Sequence, residues 1–382
     1  MKKVIFVFLA AMLLFSCTGK SENFTVTEVN GVNLYSNTDV PNDPEAKLEL
    51  RKLFTISSES GADSTAELRY PYLIVEDKSQ NIFVLDVMAS NVKKYDPEGK
   101  FIKAIGREGQ GPGEFYQPSI MYINNDTLNV YSNGSTVISK FDVDGNFFHG
   151  KKVDRIQPQW EKYSPSGKSL AALVFIPNLG ENRDISNLNY SMLDLNTLTV
   201  KSTFLQNSMN QEEVMSGKIH FIDYYAPLAV DDEHFYLSDN SDYQYRILAY
   251  DHAGNKKSEI KKSYQKIRYE KNEIEIYRED MSKVMRKEDI LKIDNFKKAI
   301  YAMYTDKYGR LLVIPSIDRH KDKDGVYLDI FKDGKFLNRV KYDLMDKSTI
   351  GLLWLIRSSV IFSGSRLYYL DREKNVIDVY DY

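Results

Sequence analysis

The stretch Asn81 to Gly106, NIFVLDVMASNVKKYDPEGKFIKAIG, constrains this chain more than any other. It reads as a strand (Ile82 to Leu85), a short turn, a second strand (Val92 to Tyr95), a tight corner (Asp96-Pro97-Glu98-Gly99) and a third strand (Phe101 to Ile105). Short apolar runs bounded by Gly, Pro and Asp are strand signals. Three in succession form an antiparallel meander, and variants of the unit recur along the chain. Repeats of this length made only of strands imply a closed ring of small sheets.

Two markers track the repeats. An apolar strand appears six times, as IFVLD (82–86), LNVYS (128–132), LAALVF (170–175), FYLSD (235–239), LLVIPS (311–316) and LYYLD (367–371). The corner after the next strand appears as Tyr95-Asp96-x-x-Gly99, Phe141-Asp142-x-x-Gly145 and Tyr250-Asp251-x-x-Gly254. It is one residue shorter at Phe331-Lys332-Asp333-Gly334 and lacks its glycine at Leu193-Asp194-Leu195-Asn196-Thr197. In such corners Asp bonds its own backbone and Gly accepts positive φ. The chain stops at Tyr382, on the sixth corner, so the last unit lacks an outer strand. Leu48 to Ile56, LELRKLFTI, is a spare outer strand with no unit before it. Pairing the two closes the ring and removes two open sheet edges. The expected fold is therefore all-β, a six-bladed β-propeller over residues 48–382 closed by an N-terminal outer strand.

Unit spacing breaks between Tyr250 and Phe331, which places a helical insertion between the fourth and fifth units, about residues 270–293. Ile274, Tyr277, Met281, Val284, Met285 and Leu291 fall at helix-like spacing behind Asn272 as N-cap. Gln211 to Gly217 reads as a shorter helix.

The N-terminus gives an address. Lys2 and Lys3 precede an apolar run, Val4 to Phe15, too short to span a bilayer, which reads as a secretory signal over residues 1–16. Leu14-Phe15-Ser16-Cys17 resembles a bacterial lipobox, with Phe15 bulkier than usual. That resemblance makes Cys17, the one cysteine of the chain, the lipidated first residue of an exported protein. The expected location is the cell envelope, at the outer membrane, with acyl chains as the membrane contact. Residues 17–47 are polar and turn-rich and read as a tether with one strand, Phe24 to Val29. A single cysteine allows no internal disulfide. The net charge of −3 argues against nucleic acid as a partner, because phosphate binding needs a basic face.

The loop Gly106-Arg107-Glu108-Gly109-Gln110-Gly111-Pro112-Gly113-Glu114-Phe115-x-x-Pro118 resembles the loop between blades in NHL-type propellers. More closely, it resembles that of the six-bladed β-propeller lipoproteins of Bacteroidota, as does FKKAIYAMYTDKYGRLLV (296–313). The resemblance covers about residues 48–382 and implies the fold, while the family's biochemical role is mostly unassigned. The glycine loop is no phosphate cradle, since a strand and not a helix follows it. Phe115 is placed to anchor it.

Chemical motifs are scarce. Gly167-Lys168-Ser169 lacks the first glycine of a P-loop. His320 to Gly325 fails the calcium-loop pattern, with His first and Phe331 twelfth. His149, His220, His234, His252 and His320 show no metal-ligand spacing, and no GxSxG elbow appears. No cofactor is expected. Inner strands are expected to begin near Tyr70, Pro118, Trp160, Tyr224, Lys298 and Trp354. Residues at those starts should converge on one end of the axis: Arg69, Tyr70, Arg107, Tyr116, Gln117, Trp160, Tyr224, Tyr225 and Arg357 are the candidate ligand-binding residues. Aromatic and arginine side chains there suit a glycan, a peptide or an envelope protein. The leading expectation is a non-catalytic binding lipoprotein. The alternative is a metal-dependent propeller enzyme, lactonase- or lyase-like, with Glu76, Asp77, Asn124, Asp231 and Asp306 as candidate donors at inner-strand ends.

Overall fold

The computed structural model describes residues 23–58, 64–154, 158–177, 185–216, 224–282, 295–322, 325–342, 344, 359–371 and 374–382. Residues 1–16, expected to be a signal segment, Cys17 and Arg357 lie outside them. The first strands, β1 (Phe24–Val29) and β2 (Val32–Asn37), form a hairpin, and β3 (Arg51–Ile56) follows. Blade one is β4 (Pro71–Glu76), β5 (Ile82–Asp86), β6 (Asn91–Tyr95) and β7 (Phe101–Ile105). Blade two is β8 (Pro118–Asn124), β9 (Thr127–Ser132), β10 (Val137–Asp142) and β11 (Phe147–Lys152). Blade three is β12 (Pro158–Tyr163), β13 (Leu170–Ile176), β14 (Ile185–Leu193) and β15 (Val200–Asn210). Blade four is β16 (Leu228–Val230), β17 (His234–Ser238), β18 (Tyr245–Asp251) and β19 (Lys256–Lys262). Blade five is β20 (Ile300–Thr305), β21 (Leu311–Pro315), β22 (Tyr327–Lys332) and β23 (Lys335–Lys341). Blade six is β24 (Val360–Ser363), β25 (Arg366–Asp371) and β26 (Val376–Asp381), completed by β3, which pairs antiparallel with β26.

The chain is thus an all-β six-bladed propeller, and the spare N-terminal strand closes it. Each apolar marker becomes the second strand of a blade; β5 is buried along its whole length. The core is divided into six clusters, each filling one gap between neighbouring blades. Leu85 and Val92 of blade one pack with Met121 and Val130 of blade two, and Val84 and Tyr95 of blade one with Tyr368 and Val379 of blade six. Each fully buried Leu, Ile or Val adds about 1.5–3 kcal/mol, so no blade is stable without its neighbours. The corners are as expected: Gly99, Gly145 and Gly254 have φ of +83°, +85° and +93°, and Asp96 Oδ1 accepts from the Lys100 N–H at 2.8 Å.

Two expectations need correction. The segment taken as a tether is ordered from residue 23 onward. Its β1–β2 hairpin adds two strands to blade four, β2 running parallel to β19, so that sheet has six strands. The chain then crosses the outer edge of blade five before entering blade six. The Asp43 N–H donates to the Leu337 carbonyl at 3.0 Å, and Asn338 Nδ2 to the Pro44 carbonyl at 2.9 Å. Asn37 staples the crossing: its buried side chain donates to the carbonyls of Lys261 and Gly334 and accepts from the Phe336 N–H at 2.7 Å. Hydrophobic patterning misses this strap, because it holds mainly through backbone hydrogen bonds and β1 is mostly exposed. The second correction concerns helix. Among the described residues there are two α-helices, α1 (Gln211–Met215) and α2 (Lys271–Met281). A repeat-sized helical insertion over 270–293 is therefore not supported, and residues 283–294 lie outside the described ones. Asn272 lies inside α2 rather than capping it, and the helix is held by the Glu273 carboxylate on the buried Lys297 ammonium at 2.5 Å.

Candidate functional site

The inner strands β4, β8, β12, β16, β20 and β24 surround a cavity of about 410 Å³ on the ring axis. All six blades line it, through residues of these strands and, in several blades, the turns that follow. Strands converging on an axis leave a gap that only large side chains fill. Here Tyr72, Tyr122, Tyr163, Tyr304 and Phe362 are the aromatic residues of the lining.

Most charged groups on the lining already have protein partners. Asp77 accepts from the N–H groups of Ser79 and Asn81 at 2.9 and 2.8 Å. Lys78 pairs with Asp126 at 2.9 Å, and Lys168 lies 3.7 Å from Asp232. Burial raises the Glu76 carboxyl, opposed by hydrogen bonds from the Tyr368 hydroxyl and the Ser365 N–H. Glu161 differs. Burial pushes its carboxyl up to about 7, although the Tyr72 hydroxyl bonds to it and pulls the other way. Its Oε1 is buried without a hydrogen-bond partner. Next along the strand, Lys162 holds its ammonium 4.7 Å from the centre of the Tyr304 ring. Burial raises the Tyr163 phenol far above its usual range, and Glu161, Tyr122 and Tyr72 push it the same way. Glu161 and Lys162 thus stand side by side on β12, the one bonded to Tyr72 and the other over the Tyr304 ring.

The candidates from the sequence lie elsewhere. None of the seven with described side chains lines this cavity: Arg69, Tyr70, Arg107, Tyr116, Gln117, Tyr224 and Tyr225 all precede the inner strands, whereas the cavity lies toward their far ends. The backbone N–H groups of Arg69 and Tyr70 bond to the buried Asp86 carboxylate at 2.7 and 3.0 Å. Arg107 is exposed and pairs within its own loop with Glu114 at 2.8 Å. That loop is anchored by Phe115, fully buried, as expected. Tyr116 is exposed, and Gln117 has φ +56° while its carbonyl accepts from the Asn133 N–H. The Tyr224 carbonyl accepts from the Tyr190 hydroxyl at 2.9 Å, and Tyr225 packs in the cluster between blades three and four. Trp160 is in β12, opposite Leu173, with its side chain outside the description. Two inner strands also begin later than expected, at Leu228 and Val360.

The residues that reasoning missed, Glu161 and Lys162, had a signal. Among the inner strands, PYLIVE, PSIMYIN, LAV, IYAMYT and VIFS carry no adjacent acid and base, whereas PQWEKY does. The alternative metal donors fit poorly. Asp231 accepts from the N–H groups of Glu233 and His234. Asp306 accepts from Tyr308 and Arg310 and pairs with the Arg310 guanidinium at 2.6 Å. Asn124 Nδ2 donates to Asn196. Among the described residues, no three His, Cys, Asp or Glu side chains converge as a metal site, and no helix is long and apolar enough to cross a membrane.

A family model described as 6-bladed beta-propeller matches residues 64–314. No curated protein matches the sequence. Similar solved structures include a Bacteroides fragilis protein inferred to be exported, at 13% identity and TM-score 0.45, covering 81% of this chain and 80% of that one. A luciferin-regenerating enzyme matches at 13% identity and TM-score 0.40, covering 86% and 94%. Virginiamycin B lyase from Staphylococcus aureus matches at 10% identity and TM-score 0.38, covering 87% and 99%. Likeness at these levels carries nothing about activity.

Proposed function

The chain belongs to the 6-bladed beta-propeller family, and from that premise we propose that it is an envelope-anchored binding protein holding a small ligand in its axial cavity without altering it. One observation carries the reading: a cavity of about 410 Å³ on the axis, walled by five aromatic rings and reached by all six blades. Cavities of roughly 300–1,000 Å³ with apolar walls and a few placed polar groups are the usual form of a small-ligand site. The supposed anchor is Cys17 behind the signal segment 1–16, in a lipoprotein of the kind Bacteroidota make. Glycan and peptide fragments are both candidate ligands, since tyrosines stack on either.

A thermal-shift screen of small molecules, followed by titration of the hits against the parent and Tyr304→Leu, tests the reading. Loss of roughly 2 kcal/mol of affinity in the variant is expected for an aromatic anchor. Hits that bind the variant equally well, or that are chemically converted, overturn it. Conversion lost on adding a chelator would instead favour the metal-dependent lactonase- or lyase-like alternative. Membrane fractionation of Cys17→Ser tests the anchor: a variant that stays as firmly membrane-bound as the parent removes it.

A further inference from the structure

Glu161 and Lys162 are consecutive on β12, so their side chains leave opposite faces of the strand. The contacts agree: Glu161 meets Tyr72 of blade one, and Lys162 lies over Tyr304 of blade five. Blades one and five are each two places from blade three, on opposite sides of the ring. The cavity therefore carries an acid turned toward blade one and a base turned toward blade five, with aromatic rings in its lining.

The remaining charges on the lining do not disturb this polarity. Asp77 closes a turn, Lys78 pairs with Asp126, Lys168 is close to Asp232, and Glu76 is bonded to Tyr368 and Ser365 of blade six. Resting on the reading that the axial cavity is a binding site, we propose that its ligand is a zwitterion of the amino-acid class, with an ammonium against Glu161, a carboxylate against Lys162 and an apolar body among the tyrosines.

Three physical points favour this class. A buried carboxyl oxygen without a partner is costly, and a ligand ammonium supplies donors that a hydrocarbon cannot. The torsion that turns a glutamate carboxyl is soft, so either oxygen can swing toward the cavity. Tyrosine rings line the same cavity, and a ring face turned to a ligand ammonium would attract it through its quadrupole. A ligand with only an anionic group would face the acid flank unmatched, and one with only a cationic group would meet the lysine. Burial keeps Glu161 protonated for much of the time near neutrality, and an incoming ammonium favours its ionised form.

Four matched probes test the proposal by titration calorimetry: L-phenylalanine, phenethylamine, 3-phenylpropanoate and phenethyl alcohol. Phenylalanine is expected to bind about ten-fold tighter than either singly charged probe, a difference of about 1.4 kcal/mol. Glu161→Gln should lower phenylalanine to the affinity of 3-phenylpropanoate, and Lys162→Met should lower it to that of phenethylamine. Both variants are checked for an unchanged folded spectrum, and Lys162→Arg should restore the preference. If the alcohol binds as tightly as phenylalanine, the zwitterion assignment falls while the cavity remains a binding site. If no probe binds, the assignment falls and the cavity reading loses its support with it.

Discussion

Asp251 at the rim of the ring and Glu161 at its axis carry the same group, and what separates them is the supply of donors. Asp251 closes a hairpin corner. The Asn255 side-chain amide and backbone N–H bond to it at 2.9 and 2.8 Å, and with Lys257 nearby its carboxyl is held far below the usual range. Asp142 and Asp231 behave alike, being held low by N–H donors of their own turns; at Asp231 this outweighs a burial effect that acts upward. Glu161 lies mid-strand and has only the Tyr72 hydroxyl, its own backbone N–H and the neighbouring Lys162 to favour its charge, so burial wins and drives its carboxyl up to about 7. Turn carboxylates are therefore structural parts that turns complete for themselves. The axial carboxyl is left incomplete by the fold, which is the reason to seek its partner in a ligand.

The largest expected effect concerns the rim. Deleting residues 18–57 removes β1, β2 and β3, unpairing the outer edges of blades four and six together. The product should aggregate, because open edges template further pairing. A soluble truncation with the parent's melting temperature, by light scattering and calorimetry, would show that the strap is dispensable.

The next effect is at the axis and depends on pH. The folded Glu161 carboxyl is raised above its unfolded value, so its penalty is absent below about pH 4 and grows as pH rises to 7. Glu161→Gln should escape that loss. Relative to the parent it should gain roughly 2 kcal/mol between pH 4 and 8, less than the full shift implies, because part of the side chain faces the accessible cavity. Urea titrations across that range check it, and a constant difference between the two proteins would break the comparison.

Asp231 should show the opposite sign. Its carboxyl is lowered in the fold, so its contribution is present above about pH 4 and disappears as pH falls. Asp231→Ala should cost about 1–2 kcal/mol at pH 7, since it strips acceptors from two N–H groups and the Tyr236 hydroxyl. The difference between the two proteins should shrink as pH falls below about 4. The smallest effect is expected at Arg107, whose exposed pair with Glu114 is confined to one loop. Arg107→Ala should leave both the melting temperature and ligand affinity unchanged within error; a clear loss of affinity would return the site to the loop between blades one and two.

Six apolar strands, recurring Asp–Gly corners and a spare outer strand were enough to read the ring and its closure. These signals are local: a hairpin corner needs its Asp and Gly within four residues, and a buried second strand shows as an unbroken apolar run. The strap across blades four to six was not legible. Asn37 gives no hint in sequence that it bridges Lys261, Gly334 and Phe336, more than 220 residues away. The helical periodicity over 272–293 did not establish an inserted helical unit: among the described residues, α2 (Lys271–Met281) is the helix in that span.

The sequence by itself determined the second strand of every blade, how many blades there are and how the chain closes, because hydrophobic period and turn chemistry act between near neighbours. Only the tertiary structure decided where the site lies. Strand starts rich in Arg and Tyr looked like a binding face, yet the described ones serve loops and blade contacts. The cavity forms toward the far ends of the inner strands, where six strands meet and the tyrosines of different blades leave space between them. Which side chains line an axis depends on the stagger and twist of every blade together, and no single repeat encodes that.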